Sequence, residues 1–111
     1  MAAYVISEIS AILDPTLADR YRALAQTTVK HYGGRYIVRG GAIEKVEGDW
    51  TAQAIVIVEF PTMEKAREWY RSPEYAEALA IRSQALTRRL LLVEGVQCEP
   101  GSIVASHQAR R

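Results

Sequence analysis

A chain of 111 residues, of which 49% are apolar and 24% charged, has the composition of one globular domain, and this excludes an intrinsically disordered chain. Its 14 basic and 13 acidic residues nearly cancel, so no net field attracts nucleic acid or an anionic membrane. The single cysteine, Cys98, excludes an internal disulfide, and no apolar run is long enough to span a membrane, so a cytoplasmic location is expected.

The N-terminal part of the sequence predicts a strand followed by a long helix. Residues 3–9 form the strand. The helix begins with Asp14 as its N-cap and Pro15 at the first helical position. Proline lacks an N–H, but the N–H at this position has no partner within the helix. The pair Gly33-Gly34 ends the helix, because glycine readily takes the positive φ of a helix terminus.

A second strand is predicted between two glycine pairs, over residues 35–39. The pair Gly40-Gly41 then allows a turn or a bulge. We expect residues 43–46 to extend this hairpin, with its turn at residues 47–49. Neither glycine pair leads from a strand into a helix, so the sequence predicts no phosphate-binding loop.

The second half of the chain predicts a strand, an interrupted helix and a last strand. Residues 54–60 are the clearest strand of the sequence. Thr62 is the expected N-cap of the following helix, and Ser72-Pro73 caps and restarts it. Residues 89–94 form the last strand.

This β-α-β-β-α-β order predicts a ferredoxin-like α+β sandwich, in which an antiparallel four-stranded sheet carries its helices on one face. The domain covers residues 1–98, and residues 99–111 form a polar tail. The strand over residues 54–60 is apolar on both sides, whereas helices cover only one face of the sheet. Covering the other face removes on the order of 500 Å² of apolar surface from water, worth about 10 kcal/mol per chain. The sequence therefore predicts a homodimer packed sheet to sheet, as a dimeric α/β barrel.

Charged residues near the strand ends are the first candidates for a ligand site. Alternation along the strands places Glu8, Arg39, Glu59 and Glu94 on the face turned away from the helices, in a cleft beside the partner. Arg39, expected near Glu59, is the candidate that binds an anionic ligand, and Glu59 is the candidate general base with a raised pKa. The alternative for both is a structural ion pair, between strands or across the dimer.

Three further side chains are candidate ligand-binding residues. Tyr75 follows a helix start and could point its hydroxyl into the cleft, although an aromatic residue on a helix face more often packs in the core. Trp69 has the same two interpretations. His31 is either a proton shuttle or a surface residue in the last turn of the helix, where a cation interacts favourably with the helix dipole. Two distant histidines and one cysteine make no ligand set, so neither a metal nor another cofactor is predicted.

Several motifs also carry a family resemblance that covers roughly residues 3–96. They are Tyr32-Gly33-Gly34-Arg35, Val38-Arg39-Gly40-Gly41, Glu47-Gly48-Asp49-Trp50, Glu59-Phe60-Pro61, Trp69-Tyr70-Arg71-Ser72-Pro73-Glu74-Tyr75 and Leu92-Val93-Glu94-Gly95. Together they make the chain similar to the small bacterial proteins called domain of unknown function 1330, of the dimeric α/β-barrel superfamily. The resemblance implies a ferredoxin-like protomer and a dimer, and it supplies no established catalytic residue. Because that superfamily includes both cofactor-free monooxygenases and stress proteins, the fold does not settle the function.

Two functional hypotheses follow from these observations. In the first, the protein is a small dimer that binds a small anionic or polar organic molecule. A further step of this hypothesis is that the protein acts on that molecule as a cofactor-independent enzyme. In the second, it is a non-catalytic dimer whose charged residues form interface ion pairs. Partners other than itself and such a ligand, including nucleic acid and membranes, are not expected.

Overall fold

The computed structural model describes residues 1–96, which form four strands and three helices. The elements, in chain order, are β1 (Ala3–Ile12), α1 (Pro15–His31), β2 (Arg35–Arg39), β3 (Ala54–Phe60), α2 (Met63–Arg71), α3 (Pro73–Ala85) and β4 (Leu86–Glu94). The strands form one antiparallel sheet in the order β2-β3-β1-β4. This topology confirms the predicted ferredoxin-like α+β fold. The predicted tail, residues 99–111, lies outside the described residues.

The helices begin where the capping residues predict. Asp14 accepts a hydrogen bond from the backbone amide of Leu17 at 3.2 Å, ahead of Pro15 at the start of α1. Ser72 accepts the amide of Tyr75 at 3.1 Å and separates α2 from α3. None of the helices over residues 1–96 is both long and apolar enough to cross a membrane.

The two faces of the sheet have different surroundings. The face that packs on the helices, which we call the helix face, includes Ala3, Val5, Ser7, Ile9, Ala54, Val56, Val58, Phe60, Arg88, Leu90 and Leu92. The opposite face, which we call the free face, includes Tyr4, Ile6, Glu8, Ile55, Ile57, Glu59, Arg89, Leu91 and Val93. The core lies between the helix face and the helices, where the largest fully buried side chains are Tyr75, Phe60, Leu86 and Val29.

Two predicted elements differ from the structure. Residues 41–53 form no strand, so the predicted hairpin extension over residues 43–46 is wrong. Gly40 donates its amide to the carbonyl of Ile55 and then turns away with a φ of +69°, which ends the pairing of β2 with β3. The last strand begins at Leu86, three residues earlier than predicted, because α3 leads into β4 without an intervening loop.

Candidate functional site

A cavity of about 320 Å³ lies between the helix face of the sheet and helix α1, with one wall from α2. Much of its lining is aliphatic, from side chains of β1, β3, β4 and α1. The residues with polar groups at its surface are Ser7, Tyr21, Arg22, Gln26, Tyr36, Arg39, Trp69 and Arg88. No aspartate or glutamate of the described chain is among the lining residues. The cavity is therefore an apolar space whose charged groups are all cationic.

Arg88 is the most buried of these cations. It pairs with Ile9 across the sheet, so its side chain points to the helix face, and it is half-buried there. Its Nη1 donates to the hydroxyl of Tyr21 at 2.7 Å and its Nη2 donates to the hydroxyl of Tyr75 at 3.0 Å. No carboxylate within residues 1–96 pairs with it. Burial acts to lower the pKa of Arg88, but the two tyrosine oxygens outweigh burial and raise that pKa, so the guanidinium stays charged.

Tyr75 stands behind Arg88 and Tyr21 and does not itself line the cavity. Its ring is fully buried and packs on Trp69, with ring centroids 4.2 Å apart. Its hydroxyl bonds to the hydroxyl of Tyr21 and to Arg88. Burial raises the pKa of Tyr75, so its phenol stays neutral and can donate a hydrogen bond. The two interpretations of Tyr75 thus coincide: its ring is core, and its hydroxyl belongs to a polar cluster.

Arg39 reaches the cavity from an unexpected direction. A β-bulge between Tyr36 and Val38 inserts an extra residue, Ile37, into β2, and Arg39 then pairs with Val56 on the helix face. The prediction that Arg39 faces away from the helices is therefore wrong, because the bulge reverses the alternation. Arg39 is exposed, and its guanidinium carbon lies 3.8 Å from the centre of the Tyr36 ring, a cation–π contact at the edge of the cavity.

Glu59 lies on the free face, away from the cavity. It binds the Nε of Arg35 at 2.6 Å and the hydroxyl of Tyr4 at 3.2 Å, so the expected neighbour Arg39 is not its partner. The hydrogen bond from Arg35 holds the pKa of Glu59 below its ordinary value, which is the opposite of the raised pKa expected for a general base. The geometry matches the alternative hypothesis of an inter-strand ion pair.

Ion pairs and apolar residues share the rest of the free face. Glu8 lies there as predicted and binds Arg89, whose Nε donates at 2.8 Å. Glu94 pairs with Ala3 and lies on the same side of the sheet, so its predicted place on the free face is wrong. Its side chain alternates in register with Leu90 and Leu92, which are partly buried against the core. Four large apolar side chains stay exposed on β2 and β4, at Ile37, Val38, Leu91 and Val93.

The remaining predicted residues divide between the cavity and the surface. Trp69 lines the cavity with its ring, while its indole Nε1 donates to the hydroxyl of Thr28 at 3.0 Å. His31 is not brought to the cavity. It is exposed in the last turn of α1, and its Nε2 lies 3.9 Å from a carboxylate oxygen of Glu74.

Sequence reasoning did not single out Arg88, Tyr21 or Ser7, although all three line the cavity. Arg88 was placed outside the last strand, although its two-residue spacing from apolar Leu90 would have put both on one face. Ser7 lies on the sheet floor of the cavity and is only 6% exposed, yet its hydroxyl makes no hydrogen bond within the described part of the chain. The Ser7 oxygen is open to the cavity, where a ligand or a water molecule can bond it.

The fold and the cavity together define a ferredoxin-like α+β protein with a cation-lined cavity between its sheet and first helix. Residues 2–96 match the family described as domain of unknown function 1330. The chain belongs to that family, as its motifs predicted. No curated protein matches the chain.

Solved structures with this fold include proteins of unknown function and an oxygenase. A protein of unknown function from Rhodopseudomonas palustris is 16% identical with a TM-score of 0.69, and the match covers 87% of this chain and 84% of that one. SnoaB, a cofactor-independent oxygenase from Streptomyces nogalater, is 13% identical with a TM-score of 0.63, covering 89% and 97%. A dimeric ferredoxin-like protein of unknown function from Thermobifida fusca is 15% identical with a TM-score of 0.59, covering 86% and 92%. At these identities the likeness shows the fold alone.

Proposed function

We propose that this protein binds a small organic anion with an apolar body in the cavity between its sheet and α1. The observation that carries the proposal is the guanidinium of Arg88, a half-buried cation with no carboxylate partner in the described chain, facing a cavity without acidic residues. A cation that is partly removed from water is stabilised by a counter-ion, and an anionic ligand supplies one here. The unpartnered hydroxyl of Ser7 adds a second polar contact for such a ligand.

The walls of the cavity favour a ligand with an apolar, ring-sized body. Trp69 and Tyr36 contribute aromatic surface, and aliphatic side chains of the strands contribute the floor. Burial raises the pKa of Tyr36 in spite of the nearby Arg39 charge, so Tyr36 remains a neutral phenol. A volume of about 320 Å³ is at the small end of ligand cavities and suits a single substituted ring.

Calorimetry on a matched set of ligands tests this function. Benzoate and phenylacetate are expected to bind, whereas benzamide, which has the shape of benzoate without its charge, binds far more weakly. Arg88→Met should weaken benzoate binding about tenfold or more, the value of a hydrogen bond to a charged group. Arg89→Met is the matched control, because Arg89 is the next residue of β4 but pairs with Glu8 on the opposite face.

Two results would contradict the proposal. Equal affinity for benzoate and benzamide would show that the cavity does not select charge. Equal losses in the Arg88 and Arg89 variants would show that the effect is general to the strand. Arg88→Lys separates charge from geometry, since lysine keeps the charge but cannot bond both hydroxyls in the fork of a guanidinium.

An enzymatic role of the same cavity is the finer form of the proposal. The similar Streptomyces protein is a cofactor-independent oxygenase, and here Arg88 and Tyr21 give the cavity donors that can stabilise negative charge without a cofactor. Substrate turnover without added metal or coenzyme would support catalysis, and binding without turnover would favour a carrier or sensor.

We further propose that the protein is a homodimer joined through the free faces of two sheets. The exposed apolar residues Leu91, Val93, Ile37 and Val38 support this, as does the similar Thermobifida fusca protein, which is dimeric. Ion pairs such as Arg35 with Glu59 would then lie at the interface, which is the one feature that favours the non-catalytic hypothesis. Light scattering at micromolar concentration tests the dimer, and a monomeric mass would overturn it.

A cytoplasmic location stays a prediction.

A further inference from the structure

Three groups at one end of the cavity form a closed set of hydrogen bonds that we call the tyrosine–arginine cluster: Tyr21, Tyr75 and Arg88. The guanidinium donates one N–H to each hydroxyl oxygen, and the two hydroxyls also bond to each other. A guanidinium has no acceptor, so neither hydroxyl proton can go to Arg88. One proton lies between the two oxygens, and the other must point elsewhere.

Burial decides which proton lies between the oxygens. Tyr75 is fully buried and does not reach the cavity, and among residues 1–96 its hydroxyl has no acceptor except the oxygen of Tyr21. If Tyr21 donated to Tyr75, the proton of Tyr75 would be left buried without a partner, which proteins avoid. Tyr75 therefore donates to Tyr21. The oxygen of Tyr21 then accepts from both Tyr75 and Arg88, and its own proton is left for the cavity that it lines.

We propose that Tyr21 donates a hydrogen bond to an anionic oxygen of the ligand, that Tyr75 is the positioning residue that sets the direction of this bond, and that the site binds phenols and enols in their ionised form. This rests on the proposed function, and it adds the class of ligand. The guanidinium of Arg88 supplies the positive charge. It can also donate hydrogen bonds to the ligand, because only two of its five N–H groups are used within the cluster. The proton that leaves the ligand hydroxyl goes to the buffer, since no carboxylate lines the cavity to accept it.

The colour of para-nitrophenol gives a direct readout, because its anion is yellow and its neutral form is not. We expect the protein to lower the pKa of the bound probe by about 1 or more, the effect of one nearby opposite charge. Binding should also release a proton, which calorimetry in buffers of different ionisation enthalpy detects. Arg88→Met should abolish the lowering of the probe pKa.

Two tyrosine variants separate the donor from its positioning residue. Tyr21→Phe should weaken binding of the probe anion roughly tenfold or more, since it removes a donor to a charged oxygen. Tyr75→Phe keeps the Tyr21 hydroxyl but no longer fixes the direction in which the Tyr21 proton points. The loss of probe affinity and the change in probe pKa should therefore both be smaller than in Tyr21→Phe. Tyr32→Phe removes a hydroxyl that bonds Glu74 outside the cavity, and it should change neither value.

Each outcome decides the proposal. Unchanged probe affinity in Tyr21→Phe would overturn the assigned proton direction, even if Tyr75→Phe fails to fold. A probe that binds with its ordinary pKa would overturn the phenol and enol class, while benzoate binding by Arg88 would leave the proposed function standing. If neither benzoate nor the probe binds, both proposals fall.

Discussion

Replacing Gly34 by alanine tests the packing where α1 turns into β2. A Cβ atom added at Gly34 would lie 2.8 and 2.9 Å from two ring carbons of Phe60 and 2.9 Å from a methyl carbon of Val29. Ordinary contacts begin at 3.4 Å, so one or more of these groups must move by about 0.5 Å. Both neighbours are essentially fully buried, at 0% and 2% exposure, so neither has open space to enter.

The expected cost is that of overpacking a closed core. We expect Gly34→Ala to lower the free energy of unfolding by about 1–3 kcal/mol. For a domain of this size, each kilocalorie lowers the thermal midpoint by about 5 °C. The backbone contributes little, because Gly34 does not have a positive φ. The cost is therefore steric.

Two neighbouring glycines make matched controls for the same substitution. Gly41→Ala meets no atom within 4 Å and has no positive φ, so it should be neutral or stabilise by up to about 1 kcal/mol through the unfolded chain. Gly33→Ala has room around its Cβ but a φ of +83°, so it should cost about 1–2 kcal/mol through the backbone alone. Urea denaturation of the three variants, followed by tryptophan fluorescence, measures these differences. A Gly34→Ala variant within about 0.5 kcal/mol of the parent would refute the packing argument.

Three further predictions concern the cap, the free face and one ion pair. Ser72→Ala removes the acceptor for the Tyr75 amide and should lower the free energy of unfolding by about 1–2 kcal/mol in urea denaturation; no change would argue against the cap. Leu91→Arg places a charge on the free face, where Leu91 is 54% exposed, and should convert the proposed homodimer to a folded monomer in light scattering. Arg35→Met should reduce stability above pH 4.5, the ordinary pKa of Glu59, because Arg35 lowers that pKa and stabilises the ionised form. The difference from the parent should shrink as acid protonates Glu59, and a difference that persists in acid would assign the effect to packing.

The helix starts could be predicted because their signals are local. Asp14 and Ser72 each precede a proline, and a cap followed by proline fixes a helix start from a few neighbouring residues. The element order followed from such signals, and the element order fixed the fold. The family motifs implied the same topology, and the family model matches residues 2–96.

The site could not be predicted because it depends on which side of the sheet each side chain occupies. The bulge at Ile37 carries no local marker, since neither it nor its neighbours Tyr36 and Val38 is a glycine, and it is defined only by pairing with a distant strand. One inserted residue sends Arg39 to the other face. Leu86 posed a similar problem: it is both the C-cap of α3 and the first residue of β4, so apolar periodicity alone did not locate the strand start.

The sheet separates two kinds of arginine, and this separation supports the location that we propose for the binding site. On the free face, Arg35 and Arg89 are each paired with a carboxylate, so their charges are already satisfied. On the helix face, Arg88 has only neutral hydroxyls for partners, and Arg39 has an aromatic ring. Neutral partners hold a guanidinium in place without cancelling its charge, so the charge remains available to an incoming anion. Among the arginines of the sheet, the two without a carboxylate partner thus both lie on the face that contains the cavity, which is where the proposed anionic ligand would gain most from binding.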